Sequence, residues 1–237
     1  MGRMRRILVT PVLLSLSLLL LLAVHSQAQE ERWEFPAVSQ GDIRFVVDAA
    51  GFRGPPGKTH KEIYYLLTTE GLRLARGEGG YRGSIEVTVL LRTSEGEEAA
   101  RRQVQRTVAV DSLSYRAGRP TAVLDLVPVQ LPAGDYELAV TIRDLNGEGE
   151  GICRGMLEIP AFDSGELSIS DLQFASEIQV GVSSGKFVKN GRKVTPNPLR
   201  RFGPGRTSFP VYFEVYRLAS PDLEEGNEIR SSCGTRS

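Results

Sequence analysis

Histidine, cysteine and tryptophan are nearly missing from this chain of 237 residues, which holds two, two and one of them. His25 falls in an apolar leader, so His60 is the only imidazole beyond it. A serine nucleophile needs a base, and His60 sits in a Gly/Pro-rich turn; pairing it with Cys153 would need two distant elements to meet. Cys153 and Cys233 alone exclude a disulfide-stapled scaffold and a four-thiolate zinc site. Cys233 lies in the polar stretch GNEIRSSCGTRS, so two unpaired thiols are expected, with a single disulfide as the alternative. An excess of one charge is also lacking: Lys and Arg number 29 and so do Asp and Glu. No basic tract is present to neutralise a run of phosphates, which argues against a nucleic-acid partner. Among the acids, no spacing singles out a carboxylate pair for sugar hydrolysis. The expectation is a non-enzyme, with no catalytic, cofactor-binding or metal-ligating residue assigned and no cofactor implied.

Long apolar runs are absent too, except for one. Arg3, Arg5 and Arg6 precede an uncharged stretch from Ile7 to Val24, followed by HSQAQE, in which Ser26 and Ala28 have the small-x-small spacing of a cleavage site. This predicts a signal peptide over residues 1–28 and an exported mature chain destined for periplasm, envelope or medium. The alternative is a retained anchor, since the run approaches the length of a membrane span. An uncleaved leader is thus the only membrane association expected. Cleavage after Ala28 removes three arginines and leaves a mature net charge of about −3.

What is abundant is alternation. In SIEVTVLLR, Ile85, Val87, Val89 and Leu91 share one face and Glu86, Thr88 and Arg92 the other; in GDYELAVTIRD, Tyr136, Leu138, Val140 and Ile142 oppose Glu137, Thr141 and Arg143. Further strands are expected near Ile43, Tyr64, Val108, Leu124 and Leu157. EGEEAARRQVQR, rich in alanine and long charged side chains, reads as a loop or turn of helix leading into a strand. About seven short strands without a helical crossover predict an all-β fold, an antiparallel immunoglobulin-like sandwich over residues 40–160. Tyr136, directly after the corner LPAGD, is placed to bond back to the corner backbone, or is an ordinary core tyrosine.

After a polar turn around IPAFDSGE, a second and incomplete β-sandwich-like segment is expected over residues 165–218, with a disordered tail at 219–237. Leu167 and Ile169 share a face, Lys189-Asn190-Gly191-Arg192 is a hairpin signal, and Val211, Phe213 and Val215 are read as inward with Glu214 outward. Three or four strands do not make a stable sandwich, so this segment either docks on the first or is cut short.

Three motifs invite a functional reading. GPPGKTHKEIYY, from Gly54 to Tyr65, contains Gly-Lys-Thr, but a Walker loop needs a glycine five residues before its Gly-Lys pair and Phe52 holds that place. EIYYLLTT favours strand over the helix such a loop feeds, so a stiffened turn entering a strand is expected. GVSSGK, at 181–186, fails the same spacing and is read as a loop. Asp144, Asn146, Glu148 and Glu150 alternate like the start of a calcium loop, yet Glu158 is too distant to supply the closing acid, which favours a solvated hairpin turn. Finally, Tyr64, Tyr65, Tyr81, Tyr115, Tyr212 and Tyr216 offer either a stacking surface for a glycan or core rings.

EIYYLLTTEGLRL, GYRGSIEVTVLLRTSEG, LPAGDYELAVTIRDLNGEGEG, LSISDLQFASEI, KFVKNGRKVTPNPLRRFG and PVYFEVYRL, together and in this order, resemble the amino-terminal region of bacterial GWxTD domain-containing proteins. SDLQFAS and VTPNPLRRFG are the most specific parts. The resemblance spans nearly all of Asp42 to Leu218 and implies exported β-sandwich segments that precede a helical signature domain. That signature, Gly-Trp-x-Thr-Asp, is absent, and the single tryptophan is Trp33. The departure implies a truncated product or a fragmentary gene. The function expected is a non-catalytic interaction or structural module of the bacterial envelope, partnered by another envelope protein. The alternative is a carbohydrate-binding or accessory module that uses exposed tyrosines; the oligomeric state stays open.

Overall fold

Two facing sheets, each with an alternating inner face, account for the first ten strands. The computed structural model describes residues 34–162, 166–205 and 208–217; the leader, Cys233 and the tail lie outside them. Two short strands, β1 (Ala37–Val38) and β2 (Gln40–Gly41), enter different sheets. Gly41 permits the crossing: its φ is +106°, and a Cβ there would meet the Glu150 carbonyl at 2.5 Å. β3 (Phe45–Arg53) and β4 (Thr59–Thr68) form a hairpin. Then come β5 (Ala75–Gly77), β6 (Gly80–Arg92), β7 (Glu98–Asp111), helix α1 (Ser112–Arg116), β8 (Ala122–Leu131), β9 (Gly134–Asp144) and β10 (Glu150–Ile159).

The first sheet runs β1-β3-β4-β8 and the second β2-β10-β9-β6, with β5 and β7 both pairing to β6; every pair is antiparallel. The fold is therefore an all-β sandwich. Its core holds Phe45, Val47, Ile63 and Leu67 from the first sheet against Val87, Val89, Leu138 and Val140 from the second. The two alternating strands read from sequence, β6 and β9, bury the predicted face. The Tyr136 ring joins this core while its hydroxyl donates to the Pro132 carbonyl at 3.2 Å, so both readings of that residue hold together. Pro128 lies on β8, an edge strand of the first sheet, where a missing N–H costs little.

One segment departs from expectation. EGEEAARRQVQR is no helix but most of β7, a fourteen-residue strand laddered along β6 with an irregularity at Leu91/Arg92. Helix propensity loses here to a thirteen-residue neighbour with an unpaired edge. The charged residues that suggested helix, Arg101 and Arg102 among them, stay exposed on an edge strand, where charge guards against pairing with other chains. The only helix among the described residues follows β7, capped by the Asp111 carboxylate, which accepts from the Leu113 and Ser114 N–H groups.

A third layer comes from the carboxy-terminal segment: β11 (Ser168–Ile169), β12 (Gln173–Val180), β13 (Val188–Lys189), β14 (Arg192–Pro196), β15 (Val211–Tyr212) and β16 (Val215–Tyr216). Strands β13-β14-β12-β15 make one small sheet and β11-β16 another. The predicted hairpin at Asn190-Gly191 forms, with φ of 48° and 70° at the two residues, as a primed turn requires. This layer docks on the outer face of the first sheet, and Ala175, Val194 and Tyr212 pack against Ala50, Phe52 and Tyr64. The face assignment at its end is inverted relative to expectation. Tyr212 and Tyr216 are buried and Phe213 is exposed, because the side that carries the two tyrosines is the one that docks on the first sheet, where Tyr212 packs on Phe52 and Tyr216 accepts from the Arg53 N–H. All described residues fall within one compact unit.

Leu138→Ala should cost about 2–5 kcal/mol of unfolding free energy, and Tyr136→Phe about 1 kcal/mol through its corner bond. Denaturant unfolding of both variants measures this; equal losses would show that the corner bond is misjudged.

Candidate functional site

The Gly54–Lys58 stretch spends its backbone on itself. The Gly54 N–H donates to the Lys58 carbonyl at 3.1 Å, the Lys58 N–H donates to Pro55 at 2.9 Å, and the chain then enters β4 directly. A Cβ at Gly54 would stand 2.7 Å from the Lys58 carbonyl, so close backbone approach explains that glycine. It is a hairpin turn feeding a strand, as the sequence suggested. The Gly181–Lys186 stretch is a loop, whose Lys186 ammonium lies 3.1 Å from the Asp125 carboxylate.

His60 and Cys153 cannot meet. His60 lies on the outer face of the first sheet, 3.6 Å from Glu62, whereas Cys153 is buried on the inner face of the second sheet. Burial pushes the Cys153 thiol up to about 11, which keeps it protonated and poorly nucleophilic. The hairpin acids are likewise engaged. Asp144 is buried and accepts from the Arg73 and Asn146 N–H groups, and the Asn146 side-chain oxygen accepts from Ser84 N–H. These oxygens close loops.

The tyrosines divide sharply. Tyr64, Tyr65, Tyr212 and Tyr216 are buried, so those four present no stacking surface. Only Tyr115 is exposed, its ring stacked 3.5 Å from that of the half-buried Tyr81.

The densest chemistry lies in the seam between the first sheet and the carboxy-terminal layer. Four ion pairs cross it: Asp48 with Arg200 at 2.7 Å, Lys61 with Asp171 at 2.6 Å, Glu62 with Lys189 at 2.6 Å, and Asp125 with Lys186. Alternation places Asp48 beside Ala50 and Glu62 beside Tyr64 on a face the layer covers. The Lys189 ammonium also donates to Gln173 and sits 4.0 Å from the centroid of the Phe52 ring. Tyr64 donates to Glu62, Asp171 accepts from the Gly51 N–H, and Tyr216 accepts from the Arg53 N–H. Burial alone would raise the Glu62 carboxyl, but hydrogen bonds from His60, Lys189 and Tyr64 with the Lys189 charge outweigh it and hold it at about 2. For Asp48 burial wins over Arg200 and the carboxyl is raised. The seam is a satisfied structural network, and sequence reading missed it because charged residues within strands were assigned to solvent.

The opposite side of the layer is apolar and partly open, with Leu172, Phe174 and Arg200 facing Phe35, Met156 and Glu158 of the sandwich across a cleft. Gln173 and Ala175 point into the seam, which turns Leu172 and Phe174 outward; Val211 stands across from Phe174, and Phe213 follows. Phe174, Phe202 and Phe209 cluster with ring centroids 5.1 to 6.5 Å apart, and the Arg200 guanidinium caps Phe174 at 4.9 Å. Leu172, Phe209 and Phe213 are 47, 55 and 38% exposed. A solvent-facing cluster of this kind is the candidate interaction surface. The SDLQFAS segment supplies part of it, though its residue pattern alone does not say which side is covered.

Because the folded carboxyl of Glu62 lies below its ordinary 4.5, its stabilising contribution should be full above that value and fade as pH falls towards about 2. Glu62→Gln at neutral pH should cost about 3–5 kcal/mol by leaving Lys189 buried and unpaired, and Glu62→Gln with Lys189→Met should recover most of it. Thermal unfolding against pH measures both; a double variant as weak as the single one would contradict the pairing.

Comparison with protein-family models found no match for the chain, and no curated protein matches it either.

Proposed function

We propose that this chain is an exported, non-catalytic immunoglobulin-like sandwich protein of the bacterial envelope, and that it binds another envelope protein through the outer face of its carboxy-terminal layer. The observation that carries this reading is the partly open apolar face of Leu172, Phe174, Phe209 and Phe213, of which Leu172 and Phe174 line a cleft against Phe35, Met156 and Glu158 of the sandwich. Soluble proteins seldom leave such faces open without a use. Aromatic residues dominate the centres of protein interfaces, and Arg200 beside Phe174 adds a residue type equally favoured there. An adjacent strand edge adds main-chain groups: Glu177–Val180 of β12 pair only with β14 among the described residues.

The non-catalytic reading draws on the spent motifs: a buried thiol, an imidazole directed at Glu62, and a hairpin Asp144 bonded to backbone N–H groups. Export rests on the leader over residues 1–28, and the bacterial envelope on the resemblance to the amino-terminal region of GWxTD domain-containing proteins. The glycan reading keeps only the stacked pair Tyr81 and Tyr115, since four of its six tyrosines are buried.

Phe209→Asp with Phe213→Asp should leave the melting temperature within a few degrees, because both rings are exposed, and should abolish chemical cross-linking to a partner in envelope extract. A wild-type chain that stays a lone monomer, or cross-linking indifferent to these variants, would sink the proposal.

A further inference from the structure

The end of the sandwich that carries α1 has no role in the seam or in the carboxy-terminal face. After Asp111 the chain runs SLSYRAGRP, a turn with two arginines and no acid. The turn is rigidly held. Asp111 caps it at 2.9 and 2.8 Å, the Ala117, Gly118 and Arg119 N–H groups close back on Leu113, Tyr115 and Ser114 carbonyls, and Tyr115 stacks on Tyr81. Yet this well-fixed turn holds Leu113 80% exposed and Tyr115 42% exposed.

Arginines flank these residues. Arg116 and Arg119 lie in the turn and Arg76 is the cross-strand partner of Tyr81, whereas Arg82 leaves the opposite face of the sheet; no ion pair engages any of the four among the described residues. Asp111 nearby is spent on its cap, and Glu78 in the β5–β6 turn is the acid closest in sequence to Arg76. A leucine and a tyrosine on a preorganised turn flanked by Arg116, Arg119 and Arg76, with Glu70 beside the Thr121 end, is the chemistry of a lipid interface. The apolar tip enters the headgroup boundary, the tyrosine ring sits at its level, and arginines meet phosphates. A protein partner is disfavoured by shape, because a five-residue turn offers far less than the ~800 Å² a stable interface takes from each side.

We infer that this end of the sandwich rests on an anionic membrane surface through Leu113 and Tyr115, with Arg116 and Arg119 contacting lipid phosphates. The contact is peripheral and reversible, and it is independent of the carboxy-terminal face. It also differs from any anchoring by the leader.

The test uses the chain without residues 1–28, since the apolar leader would bind vesicles by itself and every described residue falls within one compact unit. Co-sedimentation with phosphatidylcholine vesicles containing about a third phosphatidylglycerol is expected at low salt, weakening at 0.5 M salt on the order that Debye screening dictates. Phosphatidylcholine alone should bind weakly or not at all. Leu113→Asp, and separately Arg116→Glu with Arg119→Glu, should each lower vesicle affinity about tenfold or more with unchanged melting temperature. Phe213→Asp should leave it unaltered, which separates this surface from the one proposed above. No binding to anionic vesicles, binding that ignores the turn variants, or a protein captured through Leu113 in their place would overturn the inference.

Discussion

The outer face of the first sheet takes Asp48, Glu62 and Tyr64 out of water, and the carboxy-terminal layer is organised around satisfying them. A buried carboxylate without a partner would cost several kcal/mol, so Lys189 and Arg200 must come from another segment of chain. They arrive on short elements with unusual backbone geometry. Lys189 leads directly into the primed turn at Asn190-Gly191, and Arg200 itself has a φ of 50°. The layer therefore needs little core of its own: six buried residues and a few ion pairs fix it to a sandwich that already has a large core. Ion pairs also restrict how the layer docks, because Lys189, Lys186 and Arg200 each pair with a carboxylate fixed on the first sheet.

That arrangement explains why the layer can display apolar side chains outward. A small sheet has two faces, and the seam consumes one with polar and mixed chemistry. The other receives Leu172, Phe174 and Phe213 by simple alternation. The exposed cluster is thus a direct consequence of docking. If Gln173 and Ala175 pointed outward, these aromatics would occupy the seam and the charged residues of the first sheet would have no partners.

Much of the sandwich was legible from residues alone, and the reasons are local. β6 from Ile85 and β9 from Tyr136 alternate and bury the expected sides, Ala139 being buried as well, because both strands lie in the sheet interior with one wet and one dry face. The turns at Gly54–Lys58 and Asn190-Gly191 follow from residues that accept left-handed or close-packed backbone. Failures came where a neighbour outvoted local preference. β7 is a strand because β6 offered it a ladder, and Phe213 faces solvent because the first sheet covers the side that carries Tyr212 and Tyr216. Nothing in the sequence marked Lys189 or Arg200 as buried partners, since Glu62 and Asp48 are 127 and 152 residues distant from them along the chain.

The sequence by itself determined the class of this protein: an all-β chain, poor in nucleophile-activating residues, with two alternating strands whose inner sides form a core. Those properties depend on nearest-neighbour periodicity and on composition, which are complete in one dimension. Tertiary structure decided which outer faces stay wet. Whether Tyr64 is a surface ring or a buried one, and whether Glu62 is solvated or paired, depends on a layer contributed more than a hundred residues later. Burial is a property of what lies on top, and periodicity within a strand records only that a side exists.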